Sequence, residues 1–449
     1  MKALTTGYIA QWAGGIRRGV EVECHRVTTD SRDVQPGDLF IALRGEKFDG
    51  HAFAARALQA GAVAVMVEDG AGLDLEPSVV VRDTRQALGR LAAGWRGNLP
   101  VRVALITGSS GKTTVKEMLA AMLRAQAGEA AVLATRGNRN NEIGLPLTLL
   151  ELRAGHSFAV LEAGMNHAGE LAWLTEVAQP DLVLVNNAGS AHIGLLGSAE
   201  AVARAKGEIV GASPAGARVV LNADDRFFSL WRTMAGAREV CSFGFAAAAD
   251  VRGIWDGQGL LQVSGLATGV ETFNLALPGR HNAANALAAL AAAAELGVAL
   301  PAMRAGLASV RLPHGRLEFL PGRNGARLID DSYNANPESV RAAIAVLAAC
   351  SGKRILVFGD MGELGEQGAA AHRAVGEQAH AAGIDALYAL GEASRASVEA
   401  FGIGGRHFAS VEELAGDLAG QMDATTTVLV KGSRFMAMER VAALLGETN

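Results

Sequence analysis

The chain reads as an α/β protein in three domains, and three observations predict this. Its 449 residues exceed what a single ordinary core organises. Apolar runs of strand length alternate with helical stretches, the pattern of parallel sheets covered on both faces. The alternation is interrupted by turn-forming segments near residues 98 and 314 and then restarts. The resulting division is 1–98, a small α/β domain; 99–314, a central domain with a mostly parallel sheet; and 315–449, a Rossmann-like α/β domain.

Taken in order, residues 1–98 hold short strand-like pieces, "DLFIAL" (38–43) and "AVAVMVE" (62–68), between alanine-rich helical stretches. "GWRGNLP" (94–100), with two glycines and a proline, is the expected boundary. Buried-type strands follow at "VRVALIT" (101–107), "FAVLEAG" (158–164), "DLVLVNN" (181–187) and "ARVVLNA" (217–223). A β-patterned stretch near 239–278 leads into "LPGRHNAANALAALAAAAELG", where "PGRHN" opens a long alanine-rich helix. A second break falls at "RLPHGRLEF" (311–319). The pattern resumes with "ARLIDD" (326–331), a helix from Pro337, "RILVFGD" (354–360), "ALYAL" (386–390) and "TTVLVKG" (426–432). The closing "KGSR" is expected to begin a helix whose apolar residues Phe435, Met436, Met438 and Val441 belong to the core.

Composition narrows the function. Half the residues are apolar, 19% are charged and the mean hydropathy is +0.20, values of a packed globular chain. A net charge of −5 argues against a nucleic-acid partner, which would call for a basic excess. Cys24, Cys241 and Cys350 lie far apart, so neither a disulfide framework nor a cysteine zinc cluster is expected. The opening "MKALTTGYIAQWAGG" lacks the apolar core of a secretion signal. The richest apolar run, "ALAALAAAAELGVAL" (286–300), is interrupted by Glu295 and too short for a bilayer. A cytoplasmic protein without a membrane partner is expected, and a monomer is the default.

The chemistry starts in "VRVALITGSSGKTTVKEMLAAMLRA" (101–125). A strand ending at Thr107 passes through Gly108, Ser109, Ser110 and Gly111 into a helix starting near Lys112. Glycines let backbone N–H groups converge on an anion, and a helix N-terminus adds its dipole. Lys112 can reach terminal phosphates, and Thr113 offers a hydroxyl to a phosphate-bound magnesium. The usual spacing is G-x-x-x-x-G-K-S/T; Ile106 stands at the first glycine, so this is the shortened form G-x-x-G-K-T. Glu162 ends the next candidate strand and His192 follows the one after, both at the carboxyl rim where ligands of parallel sheets gather. Phosphate chemistry calls for magnesium, which prefers oxygen ligands such as the Glu162 carboxylate on this rim. Lys206, on composition alone, is one charged position on a helix.

The set "TGSSGKTT", "LEAGMNHAGE", "AHIGLLGS…ARAKGEI", "LPGRHNAANALAA", "HGRLE" and "DDSYNANPES" resembles the Mur ligase family of peptidoglycan synthesis, in order and over essentially the whole chain. "TDSRDVQPGDLFIALRGEKFDGHAF", "GNRNNEIGLPLTLL", "GDMGELGE" and "KGSRFMAMERV" are similar to the member that joins D-alanyl-D-alanine to UDP-N-acetylmuramoyl-tripeptide. The "DNPR" stretch of the diaminopimelate- or lysine-adding relative is missing, which favours the dipeptide-adding member.

The resemblance implies an ATP-dependent amide ligase acting through an acyl phosphate, with roles carried over by matched motif. Gly108, Ser109, Ser110, Gly111, Lys112, Thr113 and Thr114 would cradle the β- and γ-phosphates. Thr113 and Glu162 would hold one magnesium ion; His192 and Lys206, the latter carbamylated, would lie around a second. Asn282 would contact the adenine, although a cap on its helix is an equal reading. Arg316 would reach the γ-phosphate and Asp331 the ribose, while Asp330 can simply end its strand. Ser31, Arg44 and Gly45 match the uridine-nucleotide region, where an arginine fork suits a diphosphate; alone, Arg44 reads as a strand-end charge. Asn140 and Asn141 would face the muramoyl peptide, or serve as turn residues. Lys431, Ser433 and Arg434 would meet an anionic substrate or phosphate.

Two other functions stay open at this point. Folylpolyglutamate synthase shares the shortened loop, and turnover of folate with glutamate would select it. A non-ligating ATP-dependent switch would release phosphate slowly and without an amine acceptor.

Overall fold

The computed structural model describes residues 4–45, 48–189, 193–266 and 269–447. The N-terminal sheet has the order Ile16–Arg18, Ser78–Val81, Ala64–Glu68, Asp38–Ile41, Arg26–Thr28, parallel except for the first pairing. The central sheet runs Val132–Ala134, Phe158–Glu162, Arg102–Thr107, Leu182–Val185, Arg218–Asn222, Val240–Gly244, Val251–Trp255, all parallel. Antiparallel strands Leu260–Ser264 and Val270–Asn274 complete its edge.

Strand register explains why the central strands are apolar throughout. Leu105 lies beside Leu161 and Val183, and with Val103, Val185 and Leu221 it feeds a core on one face. The alternate residues Ala104, Ile106, Val160, Leu182, Leu184 and Val220 feed a second core on the other. A sheet buried on both faces has no polar positions to spare along its length. Function is therefore confined to the carboxyl ends, where Thr107, Glu162 and Asn186 emerge side by side. Helix Arg280–Glu295 packs on the second face against the phosphate-loop helix Lys112–Ala127. Alanine suits it, because Ala286 to Ala293 lie fully buried where larger side chains would hold the elements apart.

The expected boundary at 94–100 takes a different form. Residues 94–97 are the last turn of helix Thr84–Gly97, and Trp95 is buried with its indole N–H donating to the Leu152 carbonyl (3.1 Å). Gly94 is there for packing, since a Cβ would come within 2.4 Å of the Trp12 ring. This helix joins the N-terminal and central sheets through one continuous core that includes Ile9, Leu39, Leu91, Trp95, Leu105 and Leu161.

The C-terminal sheet has the order Glu318–Pro321, Arg327–Asp331, Thr426–Lys431, Lys353–Gly359, Ala386–Leu390, Gly405–Phe408, antiparallel only at the first pairing. Its two faces are again separately covered, Leu356 and Phe358 on one side, Ile355 and Val357 on the other. "KGSR" does not open a helix. A 3-10 turn, Arg434–Met436, comes first, Ala437 takes a left-handed conformation, and the α-helix is Glu439–Leu445. The break turns Phe435 outward, 67% exposed, while Met438 and Val441 stay in the core and Met436 packs at its margin.

Candidate active site

The phosphate loop is held by asparagines. Gly111 adopts φ 80°, ψ −3°, and a Cβ there would stand 2.3 Å from Asn285 Oδ1 and 2.6 Å from Asn186 Nδ2. Glycine is thus required twice, by conformation and by space. Asn186 Nδ2 donates to the Ser110 carbonyl (3.0 Å) and to Asn285 Oδ1 (3.0 Å). Asn187 grips Ser110 from both sides, accepting from its N–H at Oδ1 (2.9 Å) and donating to its carbonyl (3.0 Å). Ser109 Oγ accepts from the Gly189 N–H (2.9 Å). Helix Lys112–Ala127 then starts with no side-chain cap, so its first N–H groups face the cleft.

Charge is concentrated behind this turn. Lys112 Nζ donates to the Gly108 carbonyl (2.6 Å); burial lowers its pKa, a shift opposed by Glu162 and reinforced by Arg316. Thr113 Oγ1 donates to Glu162 Oε2 (3.1 Å), while Glu162 Oε1 is buried and accepts no hydrogen bond. Lys116, only 2% exposed, lies 3.7 Å from that oxygen and donates to the Thr135 carbonyl (2.8 Å) and to Glu117 (2.5 Å). Lys206, 1% exposed, has its pKa pushed well below the usual lysine value by burial and then by the Lys112 charge. Among the described residues no carboxylate pairs with it, and His192 lies outside them.

Among the described residues no cluster of three or more His, Cys, Asp or Glu side chains is arranged for a metal. Magnesium does not need one, because it binds through one or two protein oxygens plus phosphates and water. The orphaned Glu162 Oε1 beside the Thr113 hydroxyl fits that requirement.

A cleft of about 1360 Å³ extends from this turn to the C-terminal sheet. Lys112, Thr113, Thr114, Glu162, Asn282, Arg316, Asp331, Lys431, Asn140 and Asn141 all line it, along with Ser109, Ser110 and Gly111. Arg316 stacks over the Tyr333 ring (4.0 Å) and its buried Nε has no partner. Asp331 accepts from Lys431 Nζ (2.5 Å) and from the Leu317 N–H (3.2 Å), so two residues assigned to different ligands form one ion pair. Asp330 is buried, which raises its pKa, and accepts from the Ser332 N–H (3.0 Å). Asn282 is the third residue of its helix, not the cap; its amide donates to the Pro278 carbonyl (2.8 Å).

Other expected contacts are taken up elsewhere. Asn141 lines the cleft and also closes the turn before helix Gly144–Leu150, accepting at Oδ1 from the Ile143 N–H (3.3 Å) and the Gly144 N–H (2.8 Å), in keeping with its turn reading. Ser433 is buried and bonded to Gly362 (2.9 Å) and Ala335 (3.2 Å), and Arg434 pairs with Glu439 (2.7 Å); neither lines the cleft. Ser31, Arg44 and Gly45 lie in loops beside the N-terminal sheet and do not line it either. Arg44 pairs with Glu68 (2.7 Å), and its carbonyl accepts from Arg85 (3.0 Å), which also reaches Glu142 (3.3 Å). Sequence reasoning missed Asn186, Asn187, Asn285, Lys116 and Tyr333. Only Asn285, three residues after Asn282 on one helix face, carried a local signal.

A doubly covered parallel sheet with a glycine turn, a lysine and a buried acid at its carboxyl edge defines a phosphate-loop nucleotide enzyme. The chain belongs to the Mur ligase family. The family's middle domain matches residues 106–293, its glutamate ligase domain 315–434 and its catalytic domain 23–96. The chain is 44% identical to the UDP-N-acetylmuramoyl-tripeptide–D-alanyl-D-alanine ligase of Escherichia coli, covering 100% of this chain and 99% of the relative. Among solved structures it is similar to MurF of Acinetobacter baumannii, with a TM-score of 0.90, 35% identity and coverage of 99% and 98%. It is also similar to the Thermotoga maritima MurF ligase in complex with ADP, with a TM-score of 0.83, 30% identity and coverage of 94% and 96%.

Proposed function

We propose that this chain joins D-alanyl-D-alanine to UDP-N-acetylmuramoyl-tripeptide at the expense of ATP, a step of peptidoglycan precursor synthesis. The observation that carries this reading is full-length similarity to a ligase of that specificity, at 44% identity. The units 1–98, 99–314 and 315–449 would serve the uridine nucleotide, ATP and closure over both. A carboxylate is a poor electrophile. Transfer of the γ-phosphate to the tripeptide carboxylate, with ADP leaving, supplies a leaving group. The dipeptide amine then adds to the acyl carbon, and the tetrahedral intermediate expels phosphate to leave the amide.

The protein's part in this is positioning and charge. The N–H groups of 108–114 and the Lys112 ammonium would hold the β- and γ-phosphates. Arg316, oriented by Tyr333, has an unused N–H for charge developing on the γ-phosphate. Asp331, fixed by Lys431, would accept from the ribose, and Asn282 would meet the base. Thr113 and Glu162 would hold magnesium, which when bound neutralises phosphate charge. Lys206 and His192 would attend a second ion. A lysine kept uncharged by burial is a nucleophile for carbon dioxide, and the carbamate formed, with loss of one proton, replaces a repelled cation by an anion. Ser31, Arg44 and Gly45 would bind the uridine diphosphate, and Asn140 the peptide side.

Phosphate release across paired substrates tests the proposal. Release is expected only when UDP-N-acetylmuramoyl-tripeptide and D-alanyl-D-alanine are both present. Turnover of folate with glutamate, or release without any amine, would overturn it.

A further inference from the structure

The capping residue of helix Pro337–Ala348 is an asparagine, and capping alone does not explain the choice. Asn336 Oδ1 accepts from the Ser339 N–H (2.9 Å) while Ser339 Oγ accepts from the Asn336 N–H (3.0 Å), a complete capping box. Serine or aspartate would cap as well. What they lack is an amide N–H donor. Asn336 uses it on the phosphate loop, where Nδ2 donates to Ser110 Oγ (3.0 Å), the shorter of two contacts; the Ser110 hydroxyl also reaches Asn336 Oδ1 (3.3 Å), which an aspartate would equally offer. One side chain thus ties the first turn of a C-terminal helix to the middle of the phosphate loop.

Both ends of this contact are rigid. The Ser110 backbone is gripped by Asn186 and Asn187, which fixes the origin of its hydroxyl. On the other side, Tyr333 N–H donates to the Gly315 carbonyl (3.0 Å) and Leu317 N–H to Asp331 (3.2 Å), so the segments carrying Arg316, Asp331 and Asn336 are bonded together. Shifting Asn336 relative to Ser110 would shift Arg316 relative to the phosphates. We propose that Asn336 is a positioning residue: its amide sets the distance between the phosphate loop and the arginine that meets the γ-phosphate. This rests on the ligase reading for the role of Arg316.

The test is a double-mutant cycle with N336S, which keeps a capping oxygen but loses the N–H, and S110A, which leaves the cap untouched. A net hydrogen bond of about 1 kcal/mol gives roughly a fivefold loss. Each single variant should lose about that in kcat, with KM for ATP little changed, and the double variant no more than either single. Binding supplies a readout independent of ligation: the affinity advantage of a nonhydrolysable ATP analogue over ADP should shrink equally in all three, with melting temperature and ADP affinity held. Full kcat in N336S, losses that multiply in the double variant, or a loss that follows the melting temperature of N336S and is absent in S110A would overturn the proposal. If the wild-type chain ligates nothing, the ligase reading fails separately and the binding cycle decides the role of Asn336.

Discussion

Gly111→Ala challenges the phosphate loop at its most constrained point. The added methyl group would sit 2.3 Å from Asn285 Oδ1 and 2.6 Å from Asn186 Nδ2, well inside van der Waals contact. Both atoms belong to the bonds from Asn186 to Ser110 and Asn285, each 3.0 Å long. Relief requires Asn186 and Asn285 to move, at about 1 kcal/mol for each hydrogen bond lost. The left-handed backbone at φ 80° costs a non-glycine residue about 1–2 kcal/mol more. Together these make the phosphate-binding conformation about 3–4 kcal/mol harder to reach, a loss of two to three orders of magnitude in nucleotide affinity. Titration calorimetry with ADP and magnesium measures this directly, and the melting temperature reports whether the sheet below is intact. An ADP affinity within threefold of wild type would refute the reasoning, because the loop would then not need the geometry that only glycine permits.

Lys112→Ala should abolish phosphate release while melting near the wild-type temperature, since among the described residues the side chain's one hydrogen bond is to the Gly108 carbonyl of its own loop; residual turnover above a few per cent would contradict its role. Lys206→Ala should be inactive and partly rescued by short carboxylates, and intact-protein mass under carbon dioxide should show the carbamate on wild type alone; full activity of the variant would remove the carbamate from the mechanism. His281 is pushed down to about 4 from an ordinary 6.5, by burial first and then by the Lys431 charge. The unfolded chain therefore takes up this proton first, so the contribution of His281 is complete above pH 6.5 and is lost as pH falls through about 4. Urea unfolding between those values should lose stability more steeply in wild type than in H281Q, and equal slopes would show that His281 is not held neutral.

The parts of the site that could be read from sequence are those whose geometry is local. A strand, two glycines, a lysine and a helix fix their own arrangement, so Gly108 to Thr114 were legible, and Glu162 followed because consecutive parallel strands end on one rim. The loop-holding contacts of the asparagines were not legible, because Asn186, Asn285 and Asn336 make them across gaps of 76 to 226 residues that folding closes, whatever local bonds Asn285 and Asn336 also make. Gly94 misled for the same reason: it looks like a helix breaker, yet the Trp12 ring it admits is distant in the chain. Lys431 and Asp331 make a subtler case, since both line the cleft and yet also bind each other. Each reads as a ligand for something outside the protein, and the structure joins them to each other at 2.5 Å. A buried lysine and a partly exposed aspartate on neighbouring strands offset part of each other's cost of leaving water. On the proposed reading, the pairing would hold Asp331 in one orientation from which it could accept a hydrogen bond from the ribose. On the ligase reading the ion pair would prepare the site, and Lys431→Met should weaken ADP affinity in titration calorimetry; an unchanged affinity would show that Asp331 needs no such support.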